Sequence, residues 1–253
     1  MQAKTKIAVA GATGRVGAHI VDVLGERGHG VVPISRSAGV DVITGEGLDQ
    51  ALEGVDVIID AATGPSPEEQ AATEFFTTAA HNLQQAGDRA SVKRLVVVSI
   101  IGADRFTGGY GAAKVAHERA ALEGPIPTVV LRASQFHEFV EQLMQWGTQG
   151  EVSYVPPMRT QLVAARTVAE AIADLAIGSD GATISEVAGP REERLAEMAR
   201  LLAARDGGGV MVEEMPADSE DPDVQVYASG ALLPGPDAKL AGPTFEQWLE
   251  ERS

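Results

Sequence analysis

Two kinds of pattern alternate through the first two-thirds of the chain. Short, nearly unbroken apolar runs predict strands at Ile7–Ala10, Val31–Ser35, Val40–Ile43, Val55–Ala61, Leu95–Ile100 and Thr128–Arg132. Between most of them the apolar positions recur at helical spacing, predicting helices at Arg15–Arg27, Gly47–Glu53, Pro67–Ala86 and Tyr110–Glu123. The segments "VDVIIDAA" and "VVVSI" are apolar almost throughout, as strands covered on both faces must be. A βαβα rhythm of this kind predicts an α/β fold with a doubly wound parallel sheet.

The last third is less regular. His137–Trp146, Arg166–Ile177, Arg191–Ala204 and the closing "TFEQWLEERS" read as helices, while "TISEVAG" and "GGGVMVEEM" read as strands and "LLPGPDAKLAGP" as a Pro/Gly loop. No linker-like stretch interrupts residues 124–150. The expectation is therefore a single domain over residues 1–253, in which residues from about 135 onward build a smaller C-terminal cap on the substrate side.

Composition narrows the class of ligand. The 253 residues are 44% hydrophobic, enough for a packed core, and contain no cysteine, which excludes disulfides and thiolate metal sites and fits a reducing, cytoplasmic setting. The net charge of -16, from 36 acids and 20 bases, repels a phosphate backbone, so nucleic acid is not an expected partner. The opening "MQAKTK" leads directly into a strand, and no apolar run approaches about 18 residues, so neither a secretory signal nor a membrane span is predicted. The five histidines have no metal-ligand spacing, and no metal is expected.

The most specific segment is "IAVAGATGRVGAHIVDVL", where a strand runs straight into Gly11, Gly14 and Gly17 and then into a helix. Gly11 permits the tight turn out of the strand, Gly14 lets a diphosphate approach the backbone, and Gly17 lets helix and strand pack closely. The helix N-terminus then offers free N–H groups to an anion. This is a Rossmann-type dinucleotide turn, with Thr13, Arg15 and Val16 in the same loop. At the end of the second strand, "PISRSAG" places Ser35 and Arg36 where NAD sites place a carboxylate for the ribose 2′-hydroxyl. Arg36, helped by Arg15, can instead pair with a 2′-phosphate, so NADP(H) is favoured and NAD(H) is the alternative. Asp41 is a candidate acceptor for the adenine amino group and equally an ordinary loop aspartate.

Ser99 stands at the C-terminal end of the strand "RLVVVSI", and Tyr110 and Lys114, four apart in "YGAAK", share a helix face. The set suits carbonyl reduction. Tyr110 supplies a proton to the developing oxyanion, Lys114 lowers the phenol's pKa and holds the nicotinamide ribose, and Ser99 polarises the carbonyl. The plainer reading makes Tyr110 a structural or cofactor-binding residue.

With "GATGRVG", "DVIIDAAT", "FFTTAAHNLQQAG", "VKRLVVVSIIGADR", "YGAAKVAHERA", "IPTVVLRASQFHEF" and "TFEQWL", the chain resembles the atypical, NmrA-like short-chain dehydrogenases/reductases over almost its whole length. The resemblance implies that Gly11, Gly14 and Gly17 hold the diphosphate and Arg36 the 2′-phosphate. It implies that Ala61, Ala62 and Thr63 line the adenosine ribose, and that Ser134, Gln135 and Phe136 border the nicotinamide and substrate. Two features depart from the reductase pattern: Ser99 and Tyr110 are only 11 apart, and no asparagine falls clearly where a four-member catalytic set has one, although Asn82 sits on the right helix. Phe106, Phe136 and His137 are the candidate substrate contacts. The expected function is an NADPH-dependent oxidoreductase acting on a carbonyl or quinone-like small molecule. The alternatives are a noncatalytic NADP-sensing protein and an isomerase or cyclase on the same fold.

Overall fold

The structure is a computed structural model that describes residues 4–178, 182–217 and 222–252. Its elements run β1 (Lys6–Ala10), α1 (Arg15–Glu26), β2 (Gly30–Ile34), α2 (Leu48–Ala51), β3 (Val57–Asp60), α3 (Glu69–Arg89), β4 (Arg94–Ile100), α4 (Gly109–Leu122) and β5 (Thr128–Ala133). There follow α5 (Phe139–Gly147), β6 (Thr148–Gln149), β7 (Val152–Val155), β8 (Arg159–Thr160), α6 (Ala165–Ile177), β9 (Ile184–Ala188) and β10 (Glu193–Arg194). The chain ends with α7 (Leu195–Arg205), β11 (Met211–Glu214), α8 (Pro222–Ser229), β12 (Lys239–Leu240) and α9 (Phe245–Glu251).

Seven strands form one sheet in the order β12-β9-β5-β4-β3-β1-β2, and the β1–β2, β1–β3, β3–β4 and β9–β12 pairings are all parallel. The α/β, doubly wound expectation therefore holds, with two small accessory sheets, β10-β8 and β11-β7-β6, contributed by the C-terminal third. The chain leaves β1 for β2 on one side and returns to β3 on the other, so the strand order reverses beside β1. Ligands of open α/β sheets bind at the carboxyl ends of strands around such a point.

Two compact units emerge from the packing. The first comprises Met1–Ser99, Gly108–Arg132 and Val168–Ser185, and the second Ile100–Thr107, Ala133–Thr167 and Glu186–Ser253. In the first, Ala8, Ile34, Ile58, Leu83, Leu95, Val97, Ala121 and Val130 belong to one buried cluster. All four residues of β3 are buried, which explains its unbroken apolar sequence. Helix α1 buries Val16, Gly17, Ile20, Val23 and Leu24, one face at helical spacing. In the second unit, Val140, Met158, Leu162, Leu195, Leu202 and Phe245 form a separate core.

Three sequence expectations change. Val40–Ile43 is not a strand: the Asp41 carboxylate accepts from the N–H groups of Ile43 (2.7 Å) and Thr44 (3.4 Å), and the Asn82 side chain donates to the carbonyls of Val42 and Ile43 (both 2.9 Å). Those groups are satisfied locally, so no ladder is needed. The segment read as a Pro/Gly loop contains the short strand β12; "GTQGEVSYVPPMRT", to which the sequence pattern assigns no element, forms β6, β7 and β8, which are too short to show a period. Elsewhere the predicted elements match to within a few residues at their ends, apart from the Arg191–Ala204 helix, which begins only at Leu195 because Glu193–Arg194 pairs with β8. No helix among the described residues is long and apolar enough to cross a membrane.

Candidate active site

The ends of three strands meet at the glycine turn. Leaving β1, the Gly11 N–H donates to the Ile34 carbonyl at the end of β2 (3.1 Å), and the Ala61 N–H, just past β3, donates to the Ala10 carbonyl (3.1 Å). Gly11 has φ +75°, and a Cβ there would lie 2.6 Å from the Ala61 oxygen; a Cβ at Gly17 would lie 2.0 Å from the Gly11 oxygen. Both positions therefore require glycine. The N-cap of α1 is Gly14, no side chain caps the helix and no acid stands in its first turn. Its first N–H groups are thus left for an outside acceptor, and the turn fits the bridging phosphates of a dinucleotide. Val16 is buried behind the turn, while Thr13 and Arg15 are exposed on it.

Around this turn, Ser35 is half-buried and its hydroxyl pairs with that of Ser37 (2.9 Å). Arg36 is exposed in a single 3-10 turn, and among the described residues neither it nor Arg15 makes an ion pair. Asp41 lies in the turn described above, where its carboxylate is already engaged by two N–H groups. The Ala62 N–H donates to Asp60 (3.0 Å), and Thr63 is exposed.

Helix α4 presents the remaining candidates. Tyr110 is half-buried, packs edge-on against Phe76 (5.7 Å between centroids) and stands beside the Thr63 side chain. Burial raises its pKa, and the nearby Thr63 hydroxyl offsets this only in part. The expected lowering by Lys114 is absent, because the ammonium is occupied elsewhere. Lys114 is 5% exposed and its Nζ donates to the Val98 carbonyl (2.7 Å) and bonds His117 Nδ1 (2.8 Å). His117 Nε2 in turn bonds Asp60 Oδ2 (2.9 Å), with both residues almost wholly buried. Burial brings the lysine pKa down to about 8, against the opposing pull of Asp60 and then Glu118.

Ser99 also has a partner. Its hydroxyl donates to Glu118 Oε1 (2.5 Å), and Glu118 is held by Arg132 through two hydrogen bonds of 2.9 and 2.8 Å. The hydroxyl expected to polarise a carbonyl is committed to a buried carboxylate, so its donor is not offered outward. Asn82 spends its amide on the Val42 and Ile43 carbonyls, which gives it a structural role. Asp60, His117, Glu118 and Arg132 escaped the sequence reading. The signal for two of them was present: Lys114, His117 and Glu118 stand at i, i+3 and i+4 on one helix face.

The remaining candidates lie in the second unit. Ser134 is buried, its N–H donating to the Val187 carbonyl (2.9 Å) and its hydroxyl facing the Gln135 side-chain oxygen (3.5 Å). Phe136 is half-buried and bridges to Val163. Phe106 packs edge-on against Tyr227 (5.6 Å). His137 is 1% exposed, bonds the Pro243 carbonyl through Nε2 (3.2 Å) and lies within 5.4 Å of the Phe245 and Trp248 rings. It is a packed core residue of this unit and is closed to a ligand as the side chain stands.

Residues 11–124 match a protein family described as NAD(P)H-binding. They form an NAD(P)H-binding Rossmann domain. The search of curated proteins found no match. Among solved structures the fold is similar to the NAD-dependent NDP-hexosamine 5,6-dehydratase TunA of tunicamycin biosynthesis, at 15% identity and TM-score 0.69, covering 99% of each chain. It is also similar to a UDP-N-acetylglucosamine 4-epimerase from Bacillus cereus, at 18% identity and TM-score 0.67, covering 90% of this chain and 95% of the other. A short-chain dehydrogenase/reductase superfamily protein from Agrobacterium tumefaciens, solved with bound NAD, matches at 18% identity and TM-score 0.69, covering 97% and 95%. At these identities the likeness is one of fold. In the NAD(P)H-binding domain the glycine turn would hold the diphosphate, and residues 61–63 flank it at the end of β3.

Proposed function

We propose that the protein is an NADP(H)-dependent oxidoreductase of the atypical short-chain class that reduces a carbonyl or quinone-like small molecule. The observation that carries this reading is Tyr110. Its phenol stands beside the Thr63 side chain, three residues past the end of β3, on the loop that begins beside Gly11. A phenol whose pKa is raised stays protonated near neutrality, which suits a donor to a developing alkoxide better than a base for alcohol oxidation. When bound, the nicotinamide supplies the hydride. Tyr110 supplies the proton, and Lys114 contributes a fixed positive charge from the same helix. Ser99 acts indirectly, tying β4 to α4 through Glu118. Arg36 and Arg15, both exposed and, among the described residues, without acidic partners, support a 2′-phosphate and hence NADP(H) over NAD(H).

The test is NADPH consumption across a panel of ketones and quinones, beside calorimetry with NADPH and NADH. Tyr110→Phe should leave NADPH affinity nearly unchanged and lower turnover by about 10²–10⁴-fold. Turnover equal to wild type removes the tyrosine from the chemistry. A second reading, a protein that senses NADP without turnover, is favoured by the prior engagement of Ser99 and Lys114 with protein partners; tight NADPH binding with no consumption on any substrate would select it. Conversion of a substrate without net NADPH loss would select an isomerase, in keeping with the epimerase and dehydratase that share the fold.

A further inference from the structure

Asp60 and His117 are buried, ionisable and unused by the proton donation assigned to Tyr110. Their geometry is directional. An ammonium can only donate, so the 2.8 Å contact between Lys114 Nζ and His117 Nδ1 makes Nδ1 the acceptor. The proton of the neutral imidazole then lies on Nε2, where it donates to Asp60 Oδ2 at 2.9 Å. The other Asp60 oxygen accepts the Ala62 N–H at 3.0 Å. Phe76 closes the arrangement: its ring stacks on His117 at 4.8 Å and 15°, and Lys114 Nζ lies 4.3 Å from its centroid. The chain of bonds runs from carboxylate to imidazole to ammonium and carries no net charge.

The groups around Lys114 sort into two sets. From α4 come His117 and Glu118, from β3 Asp60, from β4 the Val98 carbonyl, and from α3 the Phe76 ring. Glu118 is neutralised by Arg132 of β5, which grips both its oxygens, and it also receives the Ser99 hydroxyl. Among the described residues Asp60 bonds neither arginine nor lysine directly, and its counter-charge is Lys114, reached through His117. Two of the three ammonium donors are used, on Val98 and His117, and among the described residues no hydrogen bond takes the third.

We propose that Asp60 and His117 are positioning residues that hold Lys114 as an aimed, protonated ammonium, so that nucleotide affinity follows the protonation of this buried lysine. The proposal rests on the dinucleotide reading above for what the third donor meets, whereas the relay is measurable in the protein alone. Asp60 is the largest influence opposing burial at Lys114. Removing its charge leaves burial less opposed, so the ammonium should lose its proton at lower pH. An amide at position 117 offers an acceptor and a donor side by side, as the imidazole does; a phenyl ring keeps the stack on Phe76 but neither bond.

The experiment is an NMR titration of ligand-free protein between pH 6 and 10, following lysine Cε and the histidine ring nitrogens, with NADPH calorimetry at matched pH. The wild type should show His117 as the Nε2–H tautomer and Lys114 titrating near pH 8. Asp60→Asn and His117→Phe should lower the Lys114 midpoint by about one to two pH units. In both, NADPH affinity at pH 7.5 should drop about tenfold and recover on acidification to pH 6. His117→Gln should retain the midpoint and the affinity. If either disruptive variant fails to fold, the wild-type tautomer and the glutamine rescue carry the test. An Nδ1–H tautomer, a midpoint unmoved in Asp60→Asn and His117→Phe, or NADPH affinity that ignores the Lys114 titration would overturn the proposal. Absence of NADPH binding at every pH, with the relay titrating as described, would overturn the dinucleotide reading instead.

Discussion

The two groups of cations in the nucleotide-binding domain are kept in opposite ways. Arg15 and Arg36, in the glycine turn and just past β2, are exposed and have no acidic partner among the described residues. Lys114, packed against β4, is buried, bonded twice and counter-charged through an imidazole. Water solvates an exposed guanidinium well, so it can remain unpaired until a ligand phosphate arrives, and its attraction is screened by salt. A buried ammonium has no such reserve and must carry its partners with it. In the proposed reading the first arrangement recognises charge, and the second fixes direction and protonation state.

The largest expected effect breaks the scaffold on which this contrast depends. Gly17→Ala places a methyl against the Gly11 carbonyl, 2.0 Å from its oxygen, and should weaken NADPH binding by roughly 100-fold or more as the turn is forced open. Calorimetry checks this, and binding at wild-type strength would mean that the turn does not hold the diphosphate. A smaller effect isolates the exposed cation. Arg36→Asp should weaken NADPH by about 10–100-fold and NADH by about threefold or less, with the difference shrinking in high salt. Equal losses for the two nucleotides would remove the 2′-phosphate contact and leave NAD(H) as the cofactor.

The smallest effect comes from a buried base that is only half partnered. His137 bonds Pro243 through Nε2, but its Nδ1 is buried with no hydrogen-bond partner among the described residues, and burial lowers its pKa to about 4. Between pH 6.5 and about 4 the unfolded chain takes up a proton that the folded chain refuses, so stability falls as the pH falls through that window. His137→Phe should flatten this slope, by on the order of 2 kcal/mol across the window, in denaturant melts at stepped pH. A slope unchanged in the variant would show that other groups carry the acid sensitivity. Near neutrality, then, Lys114 is the buried base whose charge is in play, while His137 stays neutral.

How much was legible follows from the range of each interaction. The glycine turn was readable because strand, three glycines and helix are contiguous, and each glycine answers a steric demand arising within a few residues or at the adjacent strand end. The position of Arg36 just past β2 was readable in the same way, since it follows directly from where that strand ends. Asp41 was misread as part of a third strand because Val40 and Val42 make the segment look apolar, while Asn82, some 40 residues on, supplies the side-chain bonds that satisfy it as a turn. The partners of Ser99 and Lys114 were hidden for the same reason: Glu118 lies 19 residues from Ser99, and Asp60 lies 57 from His117. Phe106 and His137 were named as substrate contacts from their flanking motifs, and in the second unit they are packed against Tyr227, Phe245 and Trp248.

From its sequence alone this protein is an α/β chain with a parallel sheet and a dinucleotide turn at its first strand, because periodicity and steric demand act between near neighbours and leave their mark in residue order. Only the tertiary structure decided which chemical groups are free. Whether a hydroxyl, an amide or an ammonium can meet a ligand depends on what the folded chain has already placed beside it, and those partners come from strands and helices that no local spacing connects.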